Sequence, residues 1–218
     1  MTMNFLRLVA ATAVSILPFL DQGSAAASDY VILKSARYEI HFPKTGWQQL
    51  EPAAHEPNTL IRVGAPGSSG IAMRWCTVAR TPFPGGTGAP FRDEVANPAV
   101  VPAFKARFEA AMTQAGGENL ATKIELIEQA GYPLFRGTAK GTFPFGAGGE
   151  RLETELRGIS AVATDGVYAL RCAFHPKLIE RPAEEVLAQI DFILSSFALT
   201  EEFRLPLSPV GRVIGNTN

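Results

Sequence analysis

A chain of 218 residues, 46% hydrophobic and 19% charged, with a formal net charge of -1, has the make-up of an ordinary globular protein rather than a disordered one. No lysine- or arginine-rich run interrupts that balance, so the electrostatic footprint of a DNA- or RNA-binding protein is missing and nucleic acid is excluded as a partner. The length is enough for one domain with a sizeable core.

Residues 1–27 have the layout of a secretory signal. Arg7 is the only charge ahead of the apolar run Leu8 to Leu20, and Ala25-Ala26-Ala27 supplies small residues for cleavage. The run is shorter than the roughly 20 residues of a membrane span. The expectation is a periplasmic or secreted protein with no stable membrane span after cleavage; an uncleaved anchor is the alternative. No cysteine near the cleavage site offers a lipid attachment point. The expected division is a signal at 1–27, one α+β domain at 28–200 and a tail at 201–218.

Within Tyr30 to Phe42, Ala36, Tyr38, Ile40 and Phe42 alternate with Arg37, Glu39 and His41, the pattern of a half-buried strand. His41 falls on its polar face. Thr59 to Val63 and Gly70 to Ala79 read as two further strands around a Gly/Ser/Pro turn. In the second, Ile71, Met73 and Trp75 share one face; Arg74 and Cys76 share the other. Arg80 to Asn97 is a long loop of the kind that is often functional. It carries Phe83 and Phe91 among its Pro and Gly residues, either as plugs at the end of the core or as contacts of a binding loop.

Asn97-Pro98 pairs an N-cap residue with a first-turn proline and starts a helix. Its apolar stripe is Val100, Val101, Phe104, Phe108, Ala111, Met112 and Ala115, and Gly116-Gly117 ends it. Four strands are expected next: Thr122–Glu128, Pro133–Phe143, Arg151–Ala163 and Val167–Phe174. In the second, Phe135, Gly137, Ala139, Gly141 and Phe143 share a smooth face that a helix can approach closely. In the third, Arg151, Glu153, Glu155 and Arg157 share a charged face that reads as a solvated surface rather than a paired-carboxylate site. Thr164-Asp165-Gly166 is a hairpin turn. The joining loop holds Phe143 and Phe145.

The last helix, Pro182 to Leu199, has the clearest stripe: Val186, Leu187, Ile190, Ile193, Leu194 and Phe197. Phe192 points away from it and needs either a cover or a partner. Leu205 and Leu207 of the tail are the expected cover. The order strands, helix, strands, helix gives α+β: an antiparallel sheet packed between or against two long helices.

Several of these pieces resemble the PsbP/Mog-type superfamily. They are Tyr38-Glu39-Ile40-His41-Phe42-Pro43 with Gly46-Trp47, the mid-chain helix, the Asp165-Gly166-Val167-Tyr168-Ala169-Leu170 hairpin and Ile190-Asp191-Phe192-Ile193-Leu194-Ser195-Ser196-Phe197. The resemblance covers roughly 30–199. It implies an α/β/α sandwich and a binding or assembly role rather than catalysis, and it transfers no active site.

No chemistry is evident in the residues themselves. His41, His55 and His175 lack metal-ligand spacing, Gly-x-Ser-x-Gly is absent, and the Gly-rich stretches lack a phosphate loop's strand-to-helix setting. No cofactor is expected. In an exported chain, the pair Cys76 and Cys172 favours a disulfide, with two buried thiols as the alternative. Cys76 shares its face with Arg74, and Cys172 with Tyr168, Leu170 and Phe174, so a bridge requires those two faces to coincide. The expected function is a non-enzymatic module that binds a protein or apolar ligand, with Phe83, Phe91, Phe143, Phe145 and Phe192 as candidate contacts. A toxin inhibitor or immunity protein, and a hydrolase with an unseen site, are the alternatives.

Overall fold

Apolar residues at every second position dictate strands wherever one sheet face is buried, and strands dominate this molecule. The computed structural model describes residues 29–51, 58–66, 72–85, 88–145, 149–179 and 181–209. The expected signal, His55, Ile71, the turn at 67–70, the glycines at 146–148 and the end of the tail lie outside the described residues.

The order is β1 (Tyr30–Lys34), β2 (Tyr38–Pro43), β3 (Gln48–Leu50), β4 (Thr59–Pro66), β5 (Ala72–Thr81), α1 (Arg92–Val95), a 3-10 turn Pro98–Val100, α2 (Val101–Gln114), β6 (Glu118–Gln129), β7 (Tyr132–Phe145), β8 (Glu150–Ala163), β9 (Gly166–Phe174), α3 (Ala183–Ser196) and β10 (Ala198–Leu199). Strands β3-β4-β5-β9-β8-β7-β6 form one sheet and β1-β2-β10 a second. The pairings within both are antiparallel. The fold is therefore mixed α+β built on antiparallel sheets.

The expectation of two long helices needs correction, since α2 and α3 have 14 residues each. Helix α3 stops at Ser196 rather than Leu199. The Ser195 and Ser196 hydroxyls bond back to the carbonyls of Phe192 (2.8 Å) and Ile193 (2.7 Å), satisfying the last turn locally. Gln129 Nε2 then donates to the carbonyls of Leu194 (3.2 Å) and Phe197 (2.8 Å). Ala198-Leu199, freed from the helix, pairs with β2. Helix α2 ends in a Schellman motif: the Gly117 N–H donates to the Met112 carbonyl and the Gly116 N–H to that of Thr113, both at 2.9 Å. Gly116 has φ +82, which glycine alone adopts without strain.

Alternation along β7 assigns the two helices to opposite faces of the large sheet. Phe104 of α2 stacks on Phe135, with ring centroids 4.0 Å apart. A Cβ placed at Gly137 comes within 3.6 Å of Phe108, so the smooth row does admit this helix. Met112 is the buried residue of α2, and its other stripe positions are only half-buried or exposed, because the helix lies over the β6–β7 edge rather than the sheet centre. On the other face, Val186, Ile190 and Ile193 of α3 are completely buried, each side chain contributing about 1.5–3 kcal/mol.

The cysteine question resolves on the α3 face. Cys76 and Cys172 are direct partners across β5 and β9, and Arg74 lies opposite Phe174. The two faces coincide without a bulge, and a disulfide joins the pair with Cα atoms 4.0 Å apart.

The charged row on β8 is less solvated than its sequence implies. Glu155 is 7% exposed, lies on the α3 face opposite Phe174, and pairs with Lys140 (2.9 Å) and Arg157 (3.2 Å). Arg157 continues to Asp191 of α3 at 2.9 Å. At this end of the row the charges are neutralised pairwise beside the helix, while Arg151 and Glu153 at the other end are exposed.

At the β8–β9 hairpin, the Asp165 carboxylate accepts from Arg37 (3.1 Å) and from the Tyr168 hydroxyl (3.0 Å). Burial, reinforced by that carboxylate, pushes Tyr168 up to about 12. Gly166 sits at φ +149, and a Cβ there would lie 2.5 Å from the Thr81 carbonyl oxygen. Gly166→Ala should cost about 2–3 kcal/mol, from backbone strain and the clash together, read as a lower urea midpoint at unchanged slope.

The tail does not cover Phe192. Leu205 is 4% exposed, whereas Leu207 is 66% exposed. Leu205 packs at the far end of the sheet, where its N–H donates to the Tyr132 hydroxyl at 2.9 Å. Ser208 donates to Asp93 of α1 at 2.7 Å. Phe192 meets Tyr30 instead, at 5.9 Å between centroids, and stays 39% exposed.

Candidate functional site

The long loop between β5 and α2 closes over one end of the sheet and leaves an apolar cavity of about 300 Å3 beneath it. Three parts of the chain build it. Phe135, Val162 and Val167, from the ends of β7, β8 and β9, form its floor. Phe104 and Val100 form the helical wall, and Phe83 with Val95 closes the loop side. The Asn97 side chain accepts from the Ala99 N–H at 3.0 Å. That cap, followed by Pro98, turns the loop into helix at this point and fixes the wall against the floor. The Phe104–Phe135 stack gives the cavity one flat, rigid side.

Two charged residues reach the lining. Glu94 is engaged: its carboxylate accepts from the Phe91 N–H at 2.9 Å, capping α1. Arg107, exposed on α2, lines the same cavity. Ala103, exposed on α2 one turn before Arg107, also lines the cavity.

Of the five phenylalanines singled out in the sequence, Phe83 alone lines this cavity. Phe91 is half-buried at the start of α1. Phe143 lies against Gly117 at the C-terminal end of α2, and Phe145 packs edge-on to His175 at 5.0 Å. Phe192 lines a different cleft of about 500 Å3, between α3 and β7–β8, where Arg136, Thr138, Arg157 and Asp191 dominate. The expected contacts thus do not converge on one site.

His175 has no counterpart among the sequence-based expectations. It is 3% exposed, with Nδ1 within 3.0 Å of the Thr154 hydroxyl and its ring 5.3 Å from that of Trp75. Desolvation holds it below its ordinary pKa of 6.5. The unfolded chain then takes up the proton more readily, so stability is full above about pH 6.5 and falls as pH drops toward the folded value. Urea midpoints measured between pH 7 and pH 5 should decline, and His175→Gln should flatten that decline. His41 is also more engaged than a solvated residue, stacking on Tyr30 at 4.8 Å and meeting Glu39 at 2.9 Å.

Among the described residues, no group of three or more His, Cys, Asp or Glu side chains is arranged to hold a metal. No helix among them is long and apolar enough to cross a membrane.

No family model matches the chain, and no curated protein matches it. A solved structure from Bacteroides thetaiotaomicron VPI-5482 is similar at a TM-score of 0.42 and 9% identity, covering 80% of this chain and 49% of that one. The chain spans about half the length of that protein.

Proposed function

We infer that this chain is an exported, non-enzymatic binding protein whose ligand enters the apolar cavity beneath the loop before α2. The observation that carries the reading is the cavity itself: about 300 Å3, bounded by Phe83, Phe104, Phe135 and valines. That is the smaller end of ligand-site volumes, with the expected apolar walls and few polar groups. A binding role also fits how the acids and bases are used. Glu155, Arg157 and Asp191 are consumed in pairs with one another, and Asp165 with Arg37 and Arg80.

Export is supported by the signal-like residues 1–27 together with the disulfide, which suits an oxidising compartment. Kinship with PsbP/Mog-type proteins belongs to the same proposal. Its support is the antiparallel sheet with helices on opposite faces and the helix ending at Ser195-Ser196.

A small environment-sensitive apolar fluorophore, 1-aminonaphthalene, tests the reading. It should bind saturably, one per chain. Ala103→Trp, a change at an exposed helix position on the cavity mouth, should weaken that binding by at least about tenfold, a loss of roughly 1.4 kcal/mol. Unsaturable dye uptake, or uptake equal in the Trp variant, would refute the cavity as the site.

A further inference from the structure

We propose that the natural ligand of this cavity is a small amphiphile with an apolar body of about ten non-hydrogen atoms in all and an anionic head, a carboxylate, held at the rim by Arg107. The proposal rests on the cavity being the binding site and goes further by naming the ligand's size and charge.

The size follows from the volume. About 300 Å3, at roughly 30 Å3 per water-sized group, accommodates about ten such groups. A straight eight-carbon acid fills it, and the rest of a longer chain would lie outside the hollow. Its tail would lie along the floor of Phe135, Val162 and Val167 and against the Phe104 ring. These walls offer no side-chain hydrogen-bonding group, so any polar end of the ligand must remain at the opening.

The sign of the head follows from the two charges at that opening. Glu94 already has a donor, the Phe91 N–H at 2.9 Å, and a position in the first turn of α1 where negative charge is favourable. Arg107 makes no hydrogen bond, ion pair or ring contact with the described residues. Its neighbours on α2 are already matched: Lys105 pairs with Glu109 at 3.4 Å, and Glu109 also accepts from the Thr122 hydroxyl. A planar, permanently charged fork without an internal partner, set over an apolar hollow, is complementary to a carboxylate on an apolar tail. Glu94 at the same rim disfavours dianions and phosphates, whose extra charge it would face, and this narrows the head to a single negative charge.

The test compares octanoate, octan-1-ol and octylamine, each titrated into the disulfide-bonded full chain by displacement of the fluorophore 1-aminonaphthalene, itself of about the cavity's size, near neutral pH and low salt. Octanoate should bind about tenfold more tightly than octan-1-ol, and octylamine more weakly than either. In Arg107→Gln, octanoate should fall to the level of the alcohol while the alcohol's own affinity is unchanged. Added salt should narrow the gap between acid and alcohol in the parent chain. If acid and alcohol bind equally, the anionic head is wrong while the apolar site stands. If the preference for acid survives Arg107→Gln, the assigned anchor is wrong. If none of the three displaces the dye, the size class is wrong; if the dye itself does not bind saturably, the underlying site is wrong. Arg107 is exposed on its helix, so an unchanged melting temperature should accompany the substitution.

Discussion

Replacing Cys76 and Cys172 together by alanine should lower stability by about 4 kcal/mol and the melting temperature by about 8–16 °C. The magnitude comes from chain entropy. The bond closes a loop with a sequence separation of 96, and a cross-link over about 100 residues restricts the unfolded chain by that order. The native packing should change little, because both side chains are small and sit in register between β5 and β9. Since both cysteines are 0% exposed, a mild reductant added to the folded protein should act only as fast as the protein opens. Thermal unfolding of the double variant beside the parent, with free thiols counted before and after, decides the matter. A shift of less than about 3 °C, below the smallest value expected from the entropy of so long a loop, would show that the bond does not stabilise the fold in this way.

Ending the chain after Glu202 should cost about 5 kcal/mol, or roughly 10–20 °C in melting temperature. The change removes the buried Leu205 side chain, worth about 1.5–3 kcal/mol. It also removes hydrogen bonds of about 1 kcal/mol each: Leu205 N–H to the Tyr132 hydroxyl, Arg92 N–H to the Pro206 carbonyl and Ser208 to Asp93. These contacts attach α1 to the start of β7, at the cavity end of the sheet. The truncated chain should therefore bind 1-aminonaphthalene more weakly as well, while the surroundings of Phe192, 39% exposed beside Tyr30, stay as they are. An unaltered melting temperature would mean that the tail is not a structural strap.

Local signals in the sequence carried most of the architecture. Strand β2 alternates as read, with Tyr38, Ile40 and Phe42 buried; Asn97-Pro98 caps a helical start; and Gly116-Gly117 ends α2. What misled was tertiary context. The stripe from Val186 to Phe197 continues smoothly past Ser196, so periodicity alone extends the helix. The termination depends on Gln129, 65 and 68 residues away from the carbonyls it meets. Glu155 looked solvated because every second residue of its strand from Arg151 to Arg157 is charged, yet it is buried beside Arg157, which reaches Asp191 of α3.

The cavity was the least legible feature. Phe104 read as part of a helix stripe and Phe135 as part of a strand face, and the hollow they share with Val162 and Val167 arises only when β7, β8, β9 and α2 meet. The sole advance signal was the unusual length of the loop carrying Phe83. Nothing in the sequence sets Arg107 apart from the other charges of its helix. Its distinction, that its neighbour Lys105 is paired with Glu109 while Arg107 itself lines the opening, needs coordinates.

The most direct test of a ligand site at this end of the sheet is methyl NMR of the valine-labelled protein during titration with octanoate. The methyls of Val95, Val100, Val162 and Val167, which line the cavity, should shift together along one saturating curve. Those of Val63 and Val186, buried elsewhere in the core, should stay in place. Shifts confined to Val63 or Val186, or no saturating shift at any valine, would contradict the account.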